Sequence, residues 1–154
     1  MEYEASLPWF GGWLRLKGTE AAIHVLGFSP EPGTAGALFP GAALLEPWLL
    51  TYRQGRDPGP VPVALAPEVT PFQQAVWEAI SRIPYGETRT YGELASALGK
   101  PGAARAVGQA AGKNPIAILI PCHRVLGAGN RITGYAWGTE IKKQLLSLEG
   151  WKLP

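Results

Sequence analysis

Two tetrapeptides constrain this chain more than anything else in it: Thr70-Pro71-Phe72-Gln73 and Thr90-Tyr91-Gly92-Glu93. In each, a threonine is followed three residues later by a glutamine or glutamate, the reciprocal pattern that satisfies free N–H groups at a helix start. Proline at the first helical position strengthens the first of them. Beyond it Phe72, Val76, Ala79, Ile80 and Ile83 recur at helical spacing as one apolar stripe, and Pro84-Tyr85-Gly86 ends that helix. The second helix runs to about Leu98, with Gly99 as its terminator. After the Gly99-Lys100-Pro101 turn a third helix is expected over 103–111, built of small residues with Arg105 as its only charge. Two short helices across a tight turn outline a helix-turn-helix, and equally an ordinary αα-corner. A helix with so little bulk can lie close against another surface, with Arg105 as a long basic probe. A last amphipathic helix is expected over 139–148, with Ile141, Leu145 and Leu148 on one side and Gly150 past its end.

The first half is written differently. Residues 13–17 and 21–28 are apolar or alternating runs around Gly18-Thr19-Glu20, a plausible hairpin. Residues 30–36 form a loop rich in Pro and Gly. A helix is expected over 42–52, with Leu44, Leu45, Trp48 and Leu49 on one side and Pro47 near its start. Residues 53–67 hold four prolines after Asp57 and two glycines, a linker composition with one short extended run at 61–65. The reading is thus α+β: a small N-terminal β-sheet domain with a helix and linker over 1–66, then a mainly helical domain over 67–154.

A single cysteine among 154 residues permits no intramolecular disulfide and no cysteine-based zinc site. A free thiol persists in a reducing compartment, so a cytoplasmic location is expected. No stretch is long and apolar enough to span a bilayer, and the Met-Glu-Tyr-Glu start does not read as a signal peptide. The net charge of +2 hides an asymmetry: residues 1–69 balance at −3 and residues 70–154 at +5. A basic half suits a polyanion, and equally a solvated surface. Trp9, Trp48 and Trp77 are assigned to core packing, and His24, in an apolar strand, to a structural role.

The chemistry concentrates in Ile118-Leu-Ile-Pro-Cys-His-Arg-Val125. Residues 116–120 are a continuous apolar run of strand length, stopped by Pro121, which would set Cys122 at the end of a buried strand. His123 follows directly. A thiol becomes a strong nucleophile once ionised, and a neighbouring base or cation is the usual means. Adjacent residues on an extended chain point to opposite sides, so a water would carry the proton between them. Glu149 is a candidate to orient the imidazole. Against this stands the plain alternative that Cys122 is a small buried hydrophobe.

The surrounding residues resemble one family throughout. Pro121-Cys122-His123-Arg124-Val125 is similar to the active-site signature of the O6-alkylguanine-DNA alkyltransferases, the methylated-DNA–protein-cysteine methyltransferases. Thr70-Pro-Phe-Gln-Gln-Ala-Val-Trp77, Ile83-Pro-Tyr-Gly-Glu-Thr88, Thr90-Tyr-Gly-Glu-Leu-Ala95, Ala104-Arg-Ala-Val-Gly108, Lys113-Asn-Pro115 and Gly134-Tyr-Ala-Trp-Gly138 follow in the family's order. The likeness is dense over 70–150 and loose before that. It implies a ribonuclease-H-like N-terminal domain and a winged-helix-like DNA-binding domain. It further implies direct, irreversible and stoichiometric transfer of an alkyl group from O6-alkylguanine in double-stranded DNA to Cys122, a suicide reaction. O4-alkylthymine would be the lesser substrate.

By the same resemblance Glu149 polarises His123, His123 deprotonates Cys122 through a water, and Tyr91 donates to N3 of the leaving guanine. The target base must leave the stack. Its extrusion falls to the third helix in the minor groove, with Ala104, Ala106 and Gly108 allowing close approach and Arg105 intercalating. Thr90 and Arg124 are further expected DNA contacts. Asn114 resembles a hinge that ties this helix to the active-site loop. Tyr135 would pack on the flipped base, and the backbone at Cys122, Val125 and Ala136 would read its edge. Trp137 would narrow the pocket against large O6 groups. No cofactor and no metal are implied, and a monomer is expected. The nearest rival is an alkyltransferase-like protein that binds lesions and recruits other repair factors, a class that lacks the acceptor cysteine. A Cys-His-Glu hydrolase is the third reading, and it would need oxyanion donors that the sequence does not mark.

Overall fold

The computed structural model describes residues 2–33 and 39–152, so residues 34–36 of the expected Pro- and Gly-rich loop lie outside the described residues. The chain divides into two compact units, residues 1–68 with 115–117, and residues 69–114 with 118–154.

The first unit is a four-stranded sheet in the order β1 (Tyr3–Trp9), β2 (Gly12–Gly18), β3 (Ala22–Ser29) and β4 (Ala64–Leu65), with helix α1 (Pro40–Arg53). Strands β1, β2 and β3 pair antiparallel and β4 runs parallel to β3. Alternation buries Ala5, Leu7 and Trp9 from β1, Leu14 and Leu16 from β2, and Ile23 and Leu26 from β3. The expected hairpin forms, with a register shift at Lys17/Gly18. Glycine is required there, because a Cβ on Gly18 would stand 2.4 Å from the Ala22 carbonyl oxygen. Strand β1 has no counterpart among the expected elements. Pro8 takes an outward position within the alternation, and an edge strand tolerates proline because one side needs no N–H.

Helix α1 covers the expected span, but its inward face differs. Ala42, Leu45, Leu49 and Tyr52 are buried, while Leu44 is exposed. Pro47 lies in the body of the helix, not near its start. The proline-rich stretch is more than a linker. The Trp48 indole N–H donates to the carbonyls of Gly59 and Pro60, both at 3.1 Å, and the chain then adds β4 to the sheet. His24 is half-buried with Nδ1 3.8 Å from the Glu2 carboxylate. Residues 115–117 belong to this unit through Leu26, whose N–H donates to Pro115 O and whose carbonyl accepts from Ala117 N.

The second unit opens with α2 (Pro71–Ser81), whose Thr70 and Gln73 exchange the anticipated capping bonds at 3.2 and 3.1 Å. Val76, Trp77 and Ile80 are its buried residues, and Ile83, just past its end, is buried as well. The same exchange between Thr90 and Glu93 starts α3 (Tyr91–Ala97), and Gly99 follows at φ +74°. Helix α4 (Ala104–Gly112) packs on α2 and α3, burying Val107, Ala110 and Ala111. The buried Trp77 indole donates to Ala110 O at 2.9 Å and so ties α2 to α4. Two short parallel strands, β5 (Arg89–Thr90) and β6 (Val125–Leu126), set the chain after Cys122 beside the start of α3. Helix α5 (Thr139–Leu148) closes the unit. Among the described residues, no helix is long and apolar enough to cross a membrane.

One expected strand does not exist. Residues 116–120 make only an isolated bridge at Ile116, and Ile118 turns the chain at φ +68°. The run is apolar because every residue in it is buried, and burial alone does not distinguish a strand from a packed turn.

Candidate active site

The turn that carries the cysteine is built by its own backbone. Cys122 N–H donates to Ile120 O at 2.8 Å and Arg124 N–H to Pro121 O at 2.9 Å, which winds Cys122–Arg124 into a single 3-10 turn. Cys122 therefore sits on a tight turn and not at a strand end. It lines a cavity of about 460 Å³, together with Tyr91, Gly108, Ala111, Tyr135 and Ala136 among others. That volume is in the range of small-molecule sites. Asn114, itself buried, donates from Nδ2 to Ile120 O at 2.9 Å, which fixes the end of α4 to the turn, and its side chain also bonds the thiol.

Behind the turn His123 is fully buried, with Nε2 2.5 Å from Oε2 of Glu149. The other carboxylate oxygen accepts from Arg124 Nε at 2.7 Å and from Gly86 N–H at 3.0 Å. Arg124 also donates from NH1 to Ile83 O at 2.7 Å. Burial works against the Glu149 carboxylate, but the hydrogen bond from His123 and the bond and charge of Arg124 outweigh it and hold the carboxyl down to about 2. Burial pushes His123 below the usual imidazole range, so it rests neutral and donates its Nε2 proton to Glu149. This leaves Nδ1 as the nitrogen able to accept a proton.

Arg124 departs from expectation. Its guanidinium is turned inward to Glu149 and Ile83, where it is the counter-charge of the carboxylate, and not outward to a phosphate. Burial also decides the resting state of the sulfur. Burial pushes the Cys122 thiol up to about 12, while the Asn114 bond and the positive charge of Lys142 pull the other way. Its surroundings do not hold it ionised at rest, so ionisation has to be coupled to proton transfer to His123.

Glu149 has a consequence for stability. Its folded carboxyl lies below the ordinary 4.5, so the stabilisation it brings is complete above that pH and is lost as pH falls through about 2. A shift of this size corresponds to about 3 kcal/mol. The gap in unfolding free energy between the parent protein and Glu149→Gln should therefore stay constant from pH 7 to about pH 5 and narrow as pH falls from about 4.5 toward 2, measured by urea denaturation. A constant gap would mean that the carboxylate's charge is not what stabilises the fold.

Tyr91 lies at the first position of α3, and burial pushes its phenol up, with the Thr133 hydroxyl pulling down and the Cys122 charge adding. It remains a proton donor at neutral pH. Tyr135 is raised well above its ordinary value by burial, then by the charges of Cys122 and Glu149. Trp137 is not in the cavity wall but packs on Tyr135, ring centroids 5.3 Å apart, so any narrowing by it acts through that ring. Val125 is also absent from the wall, and its carbonyl accepts from Lys142 Nζ at 2.6 Å. On α4, Arg105 and Ala106 are exposed, Ala104 and Gly108 half-buried. The Thr90 hydroxyl is occupied in its capping bond.

Lys142 is the residue that sequence reasoning missed. The anticipated stripe of α5 is Ile141, Leu145 and Leu148, whereas the buried side chains are Lys142, Leu145 and Leu146. The signal is present: Lys142, Leu145 and Glu149 share one helical face, and two charges on a buried face need partners. Among the described residues no cluster of three His, Cys, Asp or Glu side chains could hold a metal ion.

A pair of helices at a tight turn, one of them nearly bare, thus stands beside a buried cysteine followed by a His–Glu pair. Residues 71–151 match the family profile described as 6-O-methylguanine DNA methyltransferase, DNA binding domain. The chain belongs to that family. A methylated-DNA–protein-cysteine methyltransferase of Methanosarcina acetivorans is 62% identical over 88 residues, covering 57% of this chain and 56% of that protein. The match thus spans about half the length of the curated relative. The crystal structure of Mycobacterium tuberculosis O6-methylguanine methyltransferase superposes with TM-score 0.81 at 41% identity, covering 100% of this chain and 96% of that one. The M. tuberculosis OGT in complex with DNA gives TM-score 0.81 at 43% identity, covering 94% and 90%.

Proposed function

We propose that this protein repairs DNA by moving an alkyl group from O6 of guanine in duplex DNA onto Sγ of Cys122, once per chain. The observation that carries the reading is Cys122 lining, with the proton donor Tyr91, a cavity of about 460 Å³ that has room for a purine, while the adjacent His123 is buried on Glu149. Attack on a saturated carbon is a single displacement, so the site needs a base, a donor and a fitted pocket, and no oxyanion hole. The S–H proton passes to His123 Nδ1, directly or through a water, and Glu149 stabilises the imidazolium. The S–C bond forms as the C–O6 bond breaks, and the electron pair enters the purine. Tyr91 neutralises that charge by donating to N3. In balance the thiol proton ends on the guanine and the thioether stays on the protein.

The helix α4 is the element we assign to the minor groove. Its Gly108 and Ala111 share the cavity wall with Cys122, so a base extruded beside it enters the cavity directly. Exposed Arg105 would fill the gap in the stack, while Ala104 and Ala106 let the helix approach the backbone. Tyr135 would pack on the extruded base, and the Cys122 and Ala136 backbone would read its edge. Contacts to phosphate make binding salt-dependent and indifferent to sequence. A free thiol acceptor suits a reducing compartment, the cytosol.

Incubation with a duplex holding one O6-methylguanine per molecule tests this. Restored guanine should rise to the amount of protein added and stop there. Repeated turnover would favour a hydrolase, and tight binding without loss of the lesion would favour an alkyltransferase-like sensor.

A further inference from the structure

The sheet unit has a cleft of its own, which the chemistry at Cys122 does not use. It holds about 290 Å³ between the edge strand β1 and helix α1, with Leu7, Leu14, Leu49 and Leu50 in its walls. Leu50 is 46% exposed, so the apolar lining continues out to the surface. Two charged side chains complete the lining, Glu46 and Arg53, which lie two helical turns, about 10 Å, apart on one face of α1. Among the described residues neither forms an ion pair, and the guanidinium bonds only Pro8 O, from NH1 at 3.4 Å. That contact sets the charge against the residue next to Trp9, another wall of the cleft. Trp9 is 5% exposed, and its Nε1 has no hydrogen-bond partner among the described residues. The ring is held by packing, with Tyr52 stacked on it at 6.2 Å and Phe10 edge-on at 5.2 Å. Packing accounts for the ring but not for the N–H, since a buried donor without an acceptor is costly and rare. The indoles of Trp48 and Trp77, by contrast, both donate to backbone carbonyls.

We propose that this cleft binds a small monocarboxylate with an aromatic or branched apolar body. The carboxylate takes a charge-assisted bond from Arg53 and the proton of Trp9 Nε1, two donors that Pro8 brings together and that no anion of the chain satisfies. The apolar body lies along the four leucines. A volume at the lower limit of small-molecule sites restricts that body to about one ring and a short chain. Glu46, at the far end of the same helical face, repels a second negative charge and so excludes dicarboxylates.

The site lies wholly in the first unit, so it stands or falls separately from the alkyl-transfer reading. Titration of the whole chain with 3-phenylpropionate, followed by the indole N–H signals in ¹H–¹⁵N spectra, tests it. Six tryptophans give six such signals, and the one missing from Trp9→Phe identifies Trp9. That signal should move to saturation at about millimolar ligand, the range expected of so small a molecule. 3-Phenylpropanol, with the same body and no charge, should bind about tenfold more weakly or worse. Arg53→Gln should weaken the carboxylate by a similar factor. Leu50→Glu, which sets a negative charge at the exposed mouth and leaves both donors in place, should do the same. Benzylsuccinate, a dicarboxylate, should bind Glu46→Gln and not the parent protein. A Trp9 signal that the carboxylate does not move would overturn the proposal and leave the indole proton to water. So would an equal response to the alcohol, or binding unchanged in both Arg53→Gln and Leu50→Glu.

Discussion

Glu149→Gln should slow transfer of a methyl group from a methylated duplex to Cys122 by about 100-fold or more, the usual worth of a positioned acid–base pair. The carboxylate does three things at once. One oxygen receives the His123 proton bond, and the other receives Arg124 and the Gly86 N–H. An amide has one acceptor oxygen, so it either faces His123 and presents an N–H₂ to Arg124, or the reverse. In the first case the partly buried Arg124 charge loses its partner. In the second, His123 meets a donor and turns to the wrong tautomer. The first keeps the tautomer but removes the charge that stabilises the imidazolium, and the second removes the nitrogen that should accept the thiol proton. Single-turnover kinetics on the folded fraction checks this, with fold integrity read from the unfolding transition. A folded variant reacting at the parent rate would remove the His123–Glu149 pair from the mechanism.

The second large effect concerns delivery of the base. Arg105→Ala should reduce the repair rate in duplex DNA by about 10- to 100-fold, since extruding a stacked nucleotide costs a few kcal/mol that the inserted side chain offsets. The same variant should alkylate Cys122 with iodoacetamide at the parent rate, because Arg105 is exposed on the outer face of α4 and is not among the residues lining the cavity. A lesion placed opposite a mismatch, already half unstacked, should lose less. Equal loss on duplex and on the small alkylator would show that the substitution damages the site itself.

What is legible in the sequence is whatever local chemistry dictates. The capping pairs Thr70–Gln73 and Thr90–Glu93 specify helix starts by satisfying their own backbone, and Gly99 specifies a stop at positive φ. These signals do not depend on the rest of the chain. Cys122 and His123 can be proposed because only one cysteine and two histidines compete for the roles, whereas Glu149, one of eleven glutamates, is singled out by the resemblance to the family. The misses all depend on tertiary context. The run at 116–120 looks like a strand because it is apolar, but packing winds it through Ile118 instead. The edge strand β1 is not expected at all, and of the extended run expected at 61–65 only Ala64–Leu65 pairs, because β3 lies beside it. Arg124 and Lys142 look like ordinary surface cations. Their partners, Glu149, Ile83 O, Val125 O and Gly134 O, are brought to them only by folding.

Intact-mass and peptide mapping of the protein after exposure to excess O6-methylguanine duplex tests the central claim most directly. The account predicts that every chain gains the mass of one methylene, that the gain maps to the peptide containing Cys122, and that a second exposure adds nothing. Full occupancy of the lesion by a protein of unchanged mass, or a methyl group found on any other residue, would contradict it.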